Sequence, residues 1–185
     1  MSYLRTFLPW IVFAVLPSGS WQWGAPAALV VAVALIGQQV RAGVGLDALI
    51  IELGSAAFFA VLAVIAFTDH DSGAHDYSGA LSSGTLAAIA GASLAIGKPF
   101  TLGIAKRTTP RELWELKPFI RINVVITAAW TAAFALTALA LAFEAHAGHG
   151  HSTPATLVQI AGFAVPMAFT IRYVAHVQAK AGQPA

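Results

Sequence analysis

The sequence predicts an all-α, polytopic membrane protein: one integral domain over residues 1–185, with about six transmembrane segments. Three observations carry that prediction. Hydrophobic residues make up 58% of the chain and charged residues only 10%, with a mean hydropathy of +0.75. Soluble domains carry about 25% charged residues, so a chain this poor in charge cannot cover a water-facing surface. Apolar runs approaching the length of a membrane crossing recur at about 4–18, 25–40, 47–68, 81–97, 120–143 and 155–174. Finally, the ten Lys and Arg all fall at the termini and at the connections after the second and fourth runs, with their helix ends.

The first segment, 4–18, is interrupted by Pro9 and Pro17 and is kinked or only partly spanning. Arg5 before an apolar run also has the form of a signal peptide; the segment is read here as retained. The second and fourth, 25–40 and 81–97, are rich in Gly, Ala and Ser, which favours close helix packing and would permit a homo-oligomer through these faces. The third, 47–68, carries Glu52 about one turn in. The fifth, 120–143, carries Arg121, Asn123 and Thr127 near the same depth, and the sixth is 155–174.

The connections after the odd-numbered segments, "SGSWQWGA", "TDHDSGAHDYSGA" and "EAHAGHGHSTPA", contain no Lys or Arg. The positive-inside rule places them outside and both termini in the cytoplasm. Trp21, Trp23 and Tyr77 then mark the outer interface and Trp114 the inner one. With the basic residues explained by topology, the pI of about 9.2 does not indicate a nucleic-acid partner. The absence of Cys excludes disulfides, thiolate metal sites and cysteine nucleophiles.

Six of the ten cations crowd into residues 97–123, "GKPFTLGIAKRTTPRELWELKPFIRIN". Pro99 ends or kinks the fourth helix. "TTPREL" has the form of a helix start, with Thr109 to cap, Pro110 in the first turn and Glu112 three residues after Thr109. A short helix over 109–117, closed by Pro118, would put Leu113, Trp114 and Leu116 on an apolar side and Arg111, Glu115 and Lys117 toward water. That is the pattern of a helix lying on the cytoplasmic membrane surface. Lys98, Phe100, Lys106, Arg107, Trp114 and Arg121 are the expected contacts for anionic lipid head groups or a partner. Orientation alone is the simpler account of the same charges.

An internal echo runs through the chain. At an offset of 60, Gly24, Ala27, Ala28, Ile36, Gly37 and Gly43 meet Gly84, Ala87, Ala88, Ile96, Gly97 and Gly103. At an offset of 72, "SAAFF" (55–59) meets "TAAWT" (127–131), and at 76 "AFTDH" (66–70) meets "AFEAH" (142–146). Either a helical hairpin is repeated in parallel, or Ala/Gly-rich helices match by chance.

"KPFT" followed by Pro110, Trp114, Pro118, Phe119, Asn123, Thr127, Trp130 and Phe134, with the opening "FLPWIVF", resembles a pattern in the intracellular septation protein A family and its uncharacterised relatives. The likeness covers most of the chain in layout and about 40 residues in motif. It implies a non-enzymatic protein of the bacterial inner membrane, concerned with envelope upkeep, and brings no cofactor. Family members commonly lack the long His-bearing outer connection found here.

An unpaired charge at membrane depth costs several kcal/mol, so Glu52 is expected to pair, with Arg121 as the preferred partner. A structural tie near the interface is favoured over a substrate site for this pair. Asn123 is a polar group at the same depth, while Thr127, Thr131, Thr137 and Gln159 read mainly as helix–helix hydrogen-bonding groups. Among the outer groups, His146, His149 and His151 with Asp69 and His70 form the candidate set for a divalent metal, since imidazole with carboxylate suits Zn²⁺, Ni²⁺ or Cu²⁺. The spacing matches no standard zinc pattern, and a His/Gly loop without specific binding is the simpler reading. No H-E-x-x-H or G-x-S-x-G motif occurs. The expected function is therefore a non-catalytic envelope protein acting through lipids or partner proteins. The alternative is a small transporter or channel for a metal cation or other solute.

Overall fold

The fold is seen in a computed structural model that describes residues 5–15, 21–45, 49–69 and 72–181. All described regular structure is helical: α1 (Leu8–Val15), α2 (Trp21–Arg41), α3 (Ile50–Thr68), α4 (Ser78–Ala95), α5 (Phe100–Lys106), a 3₁₀ turn (Arg111–Leu113), α6 (Lys117–His146) and α7 (Thr153–Ala181). Five of them, α2, α3, α4, α6 and α7, are long and apolar enough to cross a membrane. At eight residues α1 is about 12 Å long, short of the roughly 20 residues a crossing needs. Among the described residues, five of the six expected segments are thus helices of spanning length and the first is a short helix.

The long helices alternate in direction. Gln39 near the end of α2 meets Glu52 at the start of α3, and Trp23 near the start of α2 packs on Phe67 near the end of α3. Along α4 and α6, Gly79 faces Leu141, Gly84 faces Ala138 and Gly91 faces Thr131, an antiparallel register. Trp130 and Thr137 of α6 meet Thr170 and Gly162 of α7 in the same sense. This arrangement gathers the described Lys and Arg toward one end and His75, His146, His149 and His151 at the other. The belt between them exposes large apolar side chains such as Val30, Val64, Leu136, Leu139 and Phe143, a surface suited to hydrocarbon rather than water.

The small residues of α2 and α4 are used inside the chain: Ala25, Ala28, Ala32 and Ala90 are buried. In lipid, association relies on close packing and hydrogen bonds rather than on expulsion of water. The heart of that packing is α1 with Phe7 immediately before it. Phe7 stacks on Trp130 (centroids 5.0 Å apart, 15° between planes) and Trp10 stacks on Phe58 (5.1 Å, 22°). Each such pair contributes about 0.5–1.5 kcal/mol beyond area burial. Trp10 Nε1 also donates to Ser55 Oγ at 2.7 Å.

Phe58 and Trp130 are echoed positions, 72 apart, so Trp10 of α1 and Phe7 just before it each stack on the matching residue of one hairpin. The echo between α2 and α4 fits less well. At its offset of 60, Gly97 answers Gly37, yet α4 ends at Ala95 while α2 continues to Arg41.

Residues 109–117 depart from the expected surface helix. Only the 3₁₀ turn forms, Pro110 precedes it, and no side chain caps it. Pro118 opens α6 instead of closing a helix, because a proline in the first turn loses no hydrogen bond there. Trp114 Nε1 donates to the Thr109 carbonyl at 2.9 Å. Lys106 and Arg111 lie over the same indole, at 4.9 and 5.7 Å from its centroid.

Candidate functional site

Polar chemistry concentrates at the two ends of the bundle, with an apolar cavity running inward from one of them. At the Lys/Arg-bearing end, Glu52 is 3% exposed. One oxygen, Oε1, accepts from Arg107 Nη2 at 3.1 Å, Thr6 Oγ1 at 3.2 Å and Gln39 Nε2 at 3.3 Å. Four elements converge on it: the segment before α1, α2, α3 and the end of α5. Arg5 donates to Gln38 beside it.

The expected Glu52–Arg121 pair is replaced by Glu52–Arg107. Arg121 is exposed, whereas α5 turns the chain back over α3 and delivers Arg107. Thr127 hydrogen-bonds across to α5, whereas the Asn123 side chain bonds within α6 and only its backbone carbonyl is reached from α5. Thr101 Oγ1 bonds the Asn123 carbonyl at 3.0 Å and Thr127 Oγ1 at 2.8 Å, and Asn123 Nδ2 donates to the Phe119 carbonyl.

Of the expected lipid contacts, Lys98 and Arg121 are exposed, while Lys106 and Trp114 are half-buried against each other. Phe100 is buried beside Trp130 and unavailable to a lipid, because Ser93 Oγ accepts its backbone N–H and folds α5 inward. Arg107 is turned toward Glu52. The "KPFT" motif therefore acts largely as an internal fastening.

At the other end, the turn before α4 and the turn between α6 and α7 meet. Two glycines of the latter make this possible. Gly148 has φ 77°, which ends α6 in the left-handed region. A Cβ on Gly150 would stand 2.5 Å from the Asp76 carbonyl oxygen, so only glycine allows the approach. The result brings His75, Asp76 and His151 together. Asp76 Oδ1 lies 3.7 Å from both His75 Nδ1 and His151 Nε2, and the imidazole centroids are 4.4 Å apart. Burial, helped by the neighbouring His75, holds the His151 pKa below the usual histidine value, against the opposing pull of Asp76.

Only His151 of the expected metal set belongs to this group. His146 and His149 are exposed and outside the group, Asp69 is exposed at the end of α3, and His70 lies outside the described residues. The reason is geometric: the Gly148 turn swings the H-x₂-H-x-H run so that its third imidazole, not all three, faces the other loop.

Behind this cluster a cavity of about 580 Å³ runs between α1, α4, α6 and α7, within the range of small-molecule sites. Phe7, Trp10, Phe163 and Met167 form its deep wall, and His75, Asp76 and His151 its rim. Ser82 and Gln159 add polar groups partway in. Ser82 is 2% exposed, and its Oγ has no hydrogen-bond partner among the described residues. Ile11, Val15 and Ile160 line the cavity and are also exposed on the outer face of the bundle. The cavity therefore borders both the aqueous end and the apolar belt.

Comparison of the chain with protein-family models, with curated proteins and with solved structures returns no match. The likeness to the septation protein A family thus rests on the motif residues alone.

Thr6, Gln39 and Ser82 carry no signal in the sequence that singles them out. Thr6 and Gln39 sit at helix ends in sequence, where polar residues are ordinary, and only the tertiary fold turns them inward.

Proposed function

We propose that the protein is a non-catalytic membrane protein that holds one amphipathic molecule, of lipid-like chemistry, in the cavity beside α1. The observation that carries this reading is the division of the cavity. Its deep wall is aromatic and aliphatic, its rim is imidazole and carboxylate, and Ile11, Val15 and Ile160 border the belt from which a tail could enter. A tail would lie along Phe163 and Met167, and a head group would reach the rim. Ser82 Oγ, buried and without a partner among the described residues, offers a hydrogen bond on the way.

We place the protein in the bacterial inner membrane with the Lys/Arg-bearing end and both termini in the cytoplasm. The support is the segregation of the cations, which is what the positive-inside rule produces. The rim then faces outward, and the exposed Lys98 and Arg121 stand where anionic lipids of the inner leaflet could gather. A part in envelope upkeep follows from the septation-protein likeness.

A second reading, solute transport, is favoured by one observation. The cavity reaches inward from one end of the bundle, and the buried Glu52–Arg107 pair closes the other.

The test uses protein purified in mild detergent and native mass spectrometry of the molecules it retains. Wild type should carry one amphiphile per chain after washing. Ala80→Trp, which fills the cavity, and Thr156→Trp, which obstructs its exposed mouth, should both lose it. Lys98→Gln, at the basic end, should not. Equal retention in wild type and both tryptophan variants would dispose of the cavity reading.

A further inference from the structure

We propose that His75, Asp76 and His151 form a binding site for a divalent cation of the zinc class, with part of its coordination sphere left open. The three residues each offer one ligand atom, and all of these atoms lie within 4.8 Å of one another. In a tetrahedral zinc site, metal–ligand bonds of about 2.0–2.2 Å place the ligands about 3.3–3.5 Å apart. Both contacts from Asp76 Oδ1, at 3.7 Å, are already within a few tenths of an ångström of that edge. The imidazoles close the remainder by turning about their side-chain bonds. Both sit on turns, and their side chains are 28% and 39% exposed.

The donor set selects the ion. Two nitrogens and one carboxylate oxygen suit Zn²⁺ and its borderline neighbours, whereas Mg²⁺ and Ca²⁺ want oxygen alone and Cu(I) wants sulfur. Three protein ligands leave a position for water or for an incoming group, as in zinc sites that are not purely structural. A recess of about 270 Å³ lined by Asp76, His149 and His151 adjoins the cluster and gives that position room.

The ligands come from two turns far apart in sequence, so the ion would join the α3–α4 connection to the α6–α7 connection at the rim of the cavity. Binding to the folded chain alone then raises its thermal midpoint by mass action. The site does not depend on what the cavity holds.

The test is calorimetric titration of the chelator-treated full chain in detergent with zinc chloride, alongside its thermal midpoint. One Zn²⁺ per chain is expected, with a higher midpoint. Loss of an outer-shell partner already weakens metal sites by about 10- to 100-fold, so His75→Ala and His151→Ala should each weaken binding by about 100-fold or more. Asp76→Asn should weaken it clearly, and His146→Ala should leave it unchanged. Matching midpoints without zinc would show that the variants fold, and His151→Gln serves if His151→Ala does not. Absence of zinc heat in wild type would overturn the proposal. So would binding that persists in both histidine variants.

Discussion

Replacing Arg107 with Ala should destabilise the bundle by about 3–5 kcal/mol, the cost of leaving a buried charge without its partner. The size follows from the geometry. Glu52 is 3% exposed, and Arg107 is its one charged partner among the described residues. Thr6 and Gln39 would remain as hydrogen-bond donors, but neither neutralises the carboxylate.

Glu52→Gln should cost less, about 1–2 kcal/mol. The amide oxygen still accepts from Thr6 and Gln39, and Arg107, 18% exposed at the basic end, can extend toward lipid phosphate. The double variant should therefore be more stable than Arg107→Ala alone, with a coupling of about 2 kcal/mol. Denaturant unfolding of the four proteins in a fixed detergent measures this cycle, with Arg121→Ala as the control. If Arg121→Ala cost as much as Arg107→Ala, or if adding Glu52→Gln gave no recovery, the pairing would be wrong.

Trp10→Phe should lose about 1–2 kcal/mol, since it removes the donor to Ser55 while keeping an aromatic ring on Phe58; unfolding midpoints against Ser55→Ala measure it. Stability should fall as pH drops below about 6.5, because the unfolded chain protonates His151 more readily than the folded one, and should level off once pH passes the lower folded pKa. His151→Gln should flatten that slope in a pH series of melts. Reporter fusions at Gly73 and Gly148 should read outside and one at Thr108 inside; an inside reading at Gly148 would invert the placement. Neutralising Lys98 or Arg121 should leave the single cavity amphiphile in place but should each weaken binding of added phosphatidylglycerol beyond it by about 1 kcal/mol, read by native mass spectrometry at increasing lipid concentration.

Class and span positions were legible because they depend on quantities that a sequence carries directly. Runs such as 47–68 and 120–143 are apolar apart from a few polar residues, mostly near their starts, and the helices Ile50–Thr68 and Lys117–His146 coincide with them to within a few residues. The stretch 109–117 misled because local start signals compete with the chain path. Trp114 folding back onto the Thr109 carbonyl leaves room for a single turn. Glu52 was recognisable as a group needing a partner, since its depth could be counted along the helix. Which arginine came to it was not, because that depends on α5 doubling back. The rim cluster was half legible: the loops were identified as facing one another, yet their meeting point is set by the Gly148 and Gly150 turn, which no spacing rule encodes. The cavity had no sequence signal, since it is bounded by ordinary apolar residues of four helices.

The most direct test of cavity occupancy is photo-cross-linking with a phospholipid analogue that carries a diazirine near its tail end, followed by peptide mapping. If the cavity receives an amphiphile, adducts should concentrate on Phe163 and Met167 over the fully lipid-facing Leu136, Leu139 and Phe143, and should fall away in Ala80→Trp. Labelling spread evenly over the exposed belt, and unchanged in Ala80→Trp, would contradict it.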